Sequence, residues 1–101
     1  MGIIITGQGG AVTVTLSGEI DHHGARTIMG ELEDVVADLV PRELILDLSG
    51  ISFMDSSGIA VLLRAHRHMR QIGGTMRVTA IPAQPRRVLD AAGMGRIITM
   101  E

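Results

Sequence analysis

Two short polar clusters hold the residues of this chain that could do chemistry. One is Asp55-Ser56-Ser57-Gly58, which lies between an apolar run and an amphipathic segment. The other is Asp21-His22-His23, much earlier in the chain. A hydroxyl on the first turn of a helix meets unpaired backbone N–H groups and the positive end of the helix dipole, which suits capping, anion binding or acceptance of a phosphoryl group. The simplest interpretation is that Asp55 or Ser56 caps a helix, but two hydroxyls and an acid exceed what a cap requires.

A serine hydrolase is one alternative for these clusters, and its motif requirements are not met. A nucleophile elbow needs the pattern G-x-S-x-G. With Ser56 as the nucleophile, Met54 occupies the place of the first glycine, and with Ser57 neither flanking position is a glycine. The acid of a catalytic triad must also orient the histidine, and Asp21 directly precedes His22, which is an awkward arrangement for that role. We therefore expect no hydrolase activity.

A metal site is a second alternative for the histidines. Adjacent residues such as His22 and His23 rarely converge on one ion, and no third histidine is placed to help them. His66 falls on the inward side of a predicted helix, where a hydrogen-bonded core or boundary histidine is the expected role, and His68 is expected to be solvated. Thiolate sites are excluded because the chain has no cysteine. We predict no metal and no cofactor.

The composition excludes several other classes of function. Trp and Tyr are absent, Phe53 is the only aromatic residue, and the formal net charge is -2, so there is neither a stacking platform nor a basic field for nucleic acid. All nine basic residues are arginines, which excludes Schiff-base chemistry and a Walker lysine. The first residues do not resemble a signal peptide, and no apolar run approaches the ~20 residues of a membrane span. We expect a cytoplasmic protein that contacts neither nucleic acid nor membrane directly.

One further surface is charged. Arg64, Arg67, His68 and Arg70 follow one another at helical spacing and predict a basic helix face. Such a face is either simply solvated or a docking surface for an acidic partner, and the sequence leaves both interpretations open.

The first half of the chain predicts two strands and a helix. The β-branched run 3–6 and the alternating run 11–17 flank a glycine-rich turn and indicate a β-hairpin. Residues 18–24 break the alternation and are expected to form a loop. From about residue 25 to residue 39 the apolar positions follow one helix face before Pro41; they are Ile28, Leu32, Val35, Val36 and Leu39.

The second half predicts two strands, two helices and a possible last strand. The apolar run 44–48 indicates an inner strand. A helix is expected from about residue 56 to the glycines at 73–74, followed by an alternating strand at 75–80. A third helix begins near Pro85 and ends before residue 93, and residues 97–100 are a possible strand. The predicted inward stripes are Ile59, Leu62, Leu63, His66 and Met69 on the second helix and Val88, Leu89 and Ala92 on the third.

This order, β-β-α-β-α-β-α with a possible last strand, indicates an α/β fold with a mixed β-sheet packed with α-helices, in one domain over residues 1–101. If the strands at 11–17 and 44–48 are parallel neighbours, the helix between them is their crossover. The carboxyl ends of both strands then lie at the same edge of the sheet, where open α/β sheets bind ligands. The two polar clusters are therefore predicted to be neighbours in space.

Five segments in order along the chain support a family resemblance: Gly18-Glu19-Ile20-Asp21-His22-His23, Leu46-Asp47-Leu48, Ser52-Phe53-Met54-Asp55-Ser56-Ser57-Gly58, Gln71-Ile72-Gly73-Gly74 and Ala92-Gly93-Met94. Together they resemble the STAS domain of bacterial anti-sigma factor antagonists. The combination of Asp-His-His with Phe-Met-Asp-Ser-Ser-Gly is more similar to the sporulation branch of this family than to its general-stress branch.

The resemblance implies the STAS fold and a regulatory protein that is not an enzyme. Unphosphorylated members bind an anti-sigma factor, an ATP-dependent serine kinase with ATP or ADP bound, and so free the sigma factor. The kinase phosphorylates the serine directly after the motif aspartate, which is Ser56 here, and a PP2C-type phosphatase reverses this. The residues expected to bind the partner are Asp21, His22, Asp55, Ser56, Ser57 and Gly58.

Two alternatives remain at this point. Asp21 can instead serve as a cap of the first helix or its loop, without any role in partner binding. The chain can also be a general-stress-type antagonist, or a STAS-type sensor or scaffold in which the same edge binds a small ligand or nucleotide.

Overall fold

The computed structural model describes residues 2–101, which form one five-stranded sheet and three α-helices. In chain order the elements are β1 (Gly2–Gln8), β2 (Ala11–Ile20), α1 (His22–Leu39), β3 (Glu43–Met54), α2 (Ser56–Gln71), β4 (Thr75–Thr79), α3 (Ala83–Ala91), a 3₁₀ turn (Met94–Arg96) and β5 (Thr99–Met100). The predicted order of strands and helices is confirmed, and the possible last strand is present as two residues.

The strands lie in the sheet in sequence order, β1-β2-β3-β4-β5. The hairpin prediction is confirmed, because β1 pairs with β2 in antiparallel register. All other neighbouring pairs are parallel, so the sheet is mixed as predicted. The helix α1 is the crossover between β2 and β3, which is the arrangement that brings the ends of these two strands together.

One face of the sheet is buried beneath the helices. Val14, Leu46 and Val78 pair in register across the three central strands, and all three are fully buried. These strand residues belong to a single apolar cluster with buried side chains of all three helices, among them Ile28, Leu62 and Leu89. The opposite face carries mainly polar, half-buried side chains; among them are Thr13, Thr15, Asp47, Arg77 and Thr79.

The prediction of a loop at residues 18–24 is wrong. β2 continues to Ile20, and α1 begins at His22, three residues earlier than predicted. Gly18 has a positive φ of 103°, and the register between β2 and β3 shifts on both sides of it. At each shift the extra residue lies on β3, so β2 keeps its alternation through Gly18, with Leu16 and Ile20 buried and Glu19 exposed.

β3 is also longer than the predicted strand at 44–48. It runs to Met54, and its added part contains the two bulges at which its register with β2 shifts. Gly50 allows this, because a Cβ at that position would lie 2.9 Å from the backbone oxygen of Leu16. The consequence for the site is that only Asp55 separates β3 from α2.

The helices differ from their predicted stripes in a few residues. Leu39 is 53% exposed, because it borders an open groove beside the edge strand β1. On α2 the prediction missed Val61 and Ala65, which are buried because they face α1 as well as the core. On α3 Leu89 is buried as predicted, whereas Ala92 follows the helix and is exposed.

Candidate functional site

The carboxyl ends of β2 and β3 form the edge of the sheet that carries both polar clusters. The last residue pair between these strands is Ile20 with Met54, and the Asp55 N–H donates a 3.2 Å hydrogen bond to the Ile20 carbonyl. Asp21 and Asp55 directly follow this residue pair. The prediction that the two clusters are neighbours in space is therefore confirmed. We call this region the switch edge, defined by residues 19–23 and 53–58.

Asp21 is the N-cap of α1. Its Oδ1 accepts a 2.7 Å hydrogen bond from the backbone N–H of Gly24, and its backbone is extended. The structure thus shows Asp21 as a helix cap. The side chain is nevertheless half-exposed, and His22 and His23 on the first turn are exposed, so capping leaves this cluster accessible to a partner.

Asp55 plays the same part at the start of α2. Its Oδ1 accepts a 2.8 Å hydrogen bond from the Ser57 N–H. Of the two candidate caps, Asp55 is therefore the N-cap and Ser56 is the first residue of the helix. Ser56 is exposed and Ser57 is half-buried. The Ser56 hydroxyl is consequently presented to solvent on a helix turn that another side chain already caps.

Two helix N-termini and several carboxylates share the switch edge. The first turns of α1 and α2 each present the positive end of a helix dipole. Asp21 and Asp55 lie at these ends, and Glu19 adds an exposed carboxylate on β2. A phosphate on Ser56 would interact favourably with its own helix N-terminus, while it would add about -1.5 to -2 charge to an edge that is already acidic.

The buried residues Met54 and Gly58 pack against each other on either side of the Asp55–Ser56 segment. The Met54 side chain is fully buried and packs against Gly58, where an added Cβ would lie 2.7 Å from the Met54 Sδ. The backbone of Met54 is bound by Gln84 of α3 through two hydrogen bonds. The sequence analysis predicted that Gly58 binds the partner. In the structure Gly58 lies in the first turn of α2 and is buried.

Two residues at the edge were not predicted. Gln84 could not be identified from the sequence, since a single glutamine on a helix belongs to no recognisable motif or periodic pattern. Phe53, the only aromatic residue of the chain, is 41% exposed and lies opposite Glu19 on β2. Its exposure has a sequence signal, because strand alternation places it on the opposite face from the buried Met54. A partly exposed aromatic ring three positions before Ser56 gives the edge an apolar contact surface.

The basic face lies away from the switch edge, on the C-terminal half of α2. Arg64 forms a 2.6 Å salt bridge with Glu33 of α1, and this pair borders an open groove between the two helices that Arg67 and His68 also line. His68 is half-buried in this groove and is thus less exposed than the prediction of a solvated side chain implies. The exposed Arg64–Glu33 pair has a net worth of at most about 1 kcal/mol.

His66 is a boundary residue as predicted, because it is half-buried on α2. The expectation that it is hydrogen-bonded is wrong for one ring nitrogen: Nδ1 is buried and has no partner among the residues that the structure describes. Within residues 2–101 there is no group of three potential metal-binding side chains. None of the described helices is both long and apolar enough to cross a membrane.

Comparison with known proteins agrees with this geometry. Residues 2–101 match the sequence model of the STAS domain. The chain belongs to the STAS domain family. The predicted resemblance and fold class are thereby confirmed.

This STAS domain is similar to proteins named as anti-sigma factor antagonists. The anti-sigma F factor antagonist of Paenibacillus polymyxa is 33% identical over 89 residues, which are 88% of this chain and 76% of that protein. The structure of the anti-sigma factor antagonist SpoIIAA in its unphosphorylated form has a TM-score of 0.82 at 23% identity and covers 99% of this chain and 88% of its own. The phosphorylated form of the Bacillus cell fate determinant SpoIIAA has a TM-score of 0.73, again at 23% identity, covering 99% and 91%. At this identity the two structures establish the shared fold.

Proposed function

We propose that this STAS domain is an anti-sigma factor antagonist whose partner binding is switched by phosphorylation of Ser56. In the unphosphorylated state it binds an anti-sigma factor serine kinase, with ATP or ADP bound, and the sigma factor is released. The kinase then phosphorylates Ser56, and a PP2C-type phosphatase restores the binding form. The domain acts as a binder and phosphoacceptor rather than as an enzyme, in the cytoplasm and in control of sporulation transcription.

The main structural support for this proposal is the environment of Ser56. Ser56 is exposed as the first residue of α2. The Asp55 carboxylate caps this helix, so the Ser56 hydroxyl is not needed as the cap. An exposed hydroxyl on a capped helix turn is accessible to a kinase. The similarity to an anti-sigma F factor antagonist supports the class of partner, and SpoIIAA, which has the same fold, exists in a phosphorylated form.

The exclusion mechanism follows from charge and position. Phosphate at the N-terminus of α2 is electrostatically favourable for the helix, so the domain keeps its fold. The same phosphate adds negative charge beside Asp55 and in the middle of the switch edge. Like charges brought together at an interface cost several kcal/mol. A partner surface fitted to the unmodified serine is therefore repelled and sterically blocked.

A displacement experiment tests the proposed function. The anti-sigma F factor of Paenibacillus polymyxa is bound to its fluorescently labelled sigma factor, and this domain is added at increasing concentration while polarisation is followed. We expect the sigma factor to be displaced, with the antagonist from the same organism as the positive control. No displacement at concentrations 100-fold above those at which that antagonist acts would contradict the proposal.

Asp21 provides a prediction that separates capping from binding. Asn caps a helix about as well as Asp, so Asp21→Asn should leave the melting temperature nearly unchanged. If the carboxylate also pairs with a basic side chain of the kinase, affinity should fall about tenfold, mainly through a slower association rate. Surface plasmon resonance measures both rates.

Asp21→Ala is the companion variant, because it removes the cap as well and should cost ~1 kcal/mol of stability. Unchanged kinase affinity in Asp21→Asn, with only a lower melting temperature in Asp21→Ala, would remove Asp21 from the binding surface.

A further inference from the structure

Gln84 of α3 makes an unusual pair of contacts with the strand that leads to Ser56. The Met54 N–H donates a 2.9 Å hydrogen bond to Gln84 Oε1, and Gln84 Nε2 donates a 2.8 Å hydrogen bond to the Met54 carbonyl. A carboxamide is donor and acceptor at once. One side chain therefore binds both backbone groups of one residue, as a neighbouring strand would.

The position of these contacts explains why they are needed. The pairing of β3 with β4 ends at Asp47 and Thr79, so residues 48–54 of β3 extend beyond β4. On the other side β2 continues to pair up to Met54. Backbone groups of successive strand residues point to opposite sides, and the Asp55 N–H already points to β2. Those of Met54 point to the side that β4 leaves empty, where an unpaired buried N–H and C=O would be costly.

The same residue is fixed through its side chain. Met54 is fully buried and fills the space beside Gly58, where no Cβ fits without displacing it. The backbone of residue 54 is thus held by Gln84, and its side chain is held by the first turn of α2. Between these two fixed points lie the N-cap Asp55 and the exposed Ser56.

Gln84 is itself well anchored. It lies in the first turn of α3, next to Pro85, which is buried, and Leu89 of the same helix is fully buried in the core. The backbone of Gln84 is therefore fixed relative to the core, and its side chain reaches Met54 from a fixed point. The contact joins the position of a whole helix to the position of the segment that carries the switch serine.

We propose that Gln84 is a positioning residue for Ser56: by replacing the missing strand beside Met54 it holds the Asp55–Ser56 turn in the geometry that the kinase phosphorylates. This role rests on the proposed function. Gln84 does not touch the reacting hydroxyl and acts only through Met54. Because displacement of a reacting group by about 1 Å can cost about 100-fold in rate, loss of the contact should reduce the phosphorylation rate even when the domain remains folded.

The test compares Gln84→Leu with wild type and with Gln71→Leu, a matched change of an exposed glutamine at the far end of α2. Each protein is phosphorylated with ATP by the anti-sigma F factor of Paenibacillus polymyxa, well below its melting temperature. We expect kcat/KM to fall about tenfold or more in Gln84→Leu, mostly in kcat, and to stay at the wild-type value in Gln71→Leu. Gln84→Glu keeps the acceptor for the Met54 N–H but places a carboxylate oxygen against the Met54 carbonyl, so it should also lower the rate; it serves if Gln84→Leu does not fold.

Amide hydrogen exchange measured by NMR reports the contact itself. The Met54 amide should exchange at least tenfold faster in Gln84→Leu, while the amide of Leu46, in the fully paired part of β3, keeps its wild-type rate. An unchanged Met54 rate, or a wild-type kcat in a folded Gln84→Leu protein, would overturn the role of Gln84 while leaving the proposed function intact. If wild type itself accepts no phosphate, the proposed function fails and this role fails with it.

Discussion

Ser56→Ala should accept no phosphate from the kinase, whereas Ser57→Ala should be modified to the same extent as wild type. The two hydroxyls are adjacent in sequence but differ in environment. Ser56 is exposed as the first residue of α2, while Ser57 is half-buried and its N–H is engaged by the Asp55 cap. Intact mass after incubation with kinase and ATP gives the answer directly, since each phosphate adds a fixed increment.

The pair of variants is its own control, because each removes one hydroxyl from the same helix turn. Ser56 is not the N-cap, so both proteins should fold and melt close to wild type. Phosphate found on Ser56→Ala would show that another hydroxyl is the acceptor, and the switch would then have to be placed elsewhere.

Ser56→Asp should bind the anti-sigma factor kinase far more weakly than Ser56→Ala. An added carboxylate beside Asp55 costs several kcal/mol when it faces a partner fitted to a neutral hydroxyl, so we expect a loss of affinity of about 100-fold, or about 2.7 kcal/mol. Aspartate carries less charge than phosphoserine, so this is a lower bound on the effect of phosphorylation. Isothermal titration calorimetry of both variants against the kinase measures the difference.

A stability measurement separates exclusion from unfolding in the same experiment. Acidic residues are favourable in the first turn of a helix, so Ser56→Asp should melt within a few degrees of wild type. Equal affinities of Ser56→Asp and Ser56→Ala would show that charge at this position does not exclude the partner. Lost binding accompanied by a collapsed thermal transition would assign the effect to the fold.

Most of the fold could be predicted because its signals are periodic. Alternation over residues 11–17 marked β2, and the helical spacing of Ile28, Leu32 and Val35 marked α1. The errors occur where a glycine interrupts a period without ending the element. Gly18 adopts a positive φ within β2, and Gly50 allows β3 to approach β2 closely where β3 is bulged, so both strands continue past the residues at which the prediction ended them.

The sequence predicted which residues lie together at the candidate site, but not the contacts that hold them in position. The proximity of Asp21 to Asp55 follows from topology, since two parallel neighbouring strands must end at the same edge. The two hydrogen bonds between the Gln84 side chain and the Met54 backbone connect residues 30 positions apart. Such a contact depends on where α3 packs, and it leaves no trace in composition or periodicity.

The central claim is that phosphate on Ser56 abolishes binding to the anti-sigma factor. The most direct measurement is calorimetric titration of one preparation of the wild-type domain into the anti-sigma factor kinase, before and after complete phosphorylation, with ADP present to prevent further phosphoryl transfer. The account predicts measurable binding by the unphosphorylated domain and a loss of affinity of at least about 100-fold after phosphorylation. Equal affinity of the two forms would contradict it.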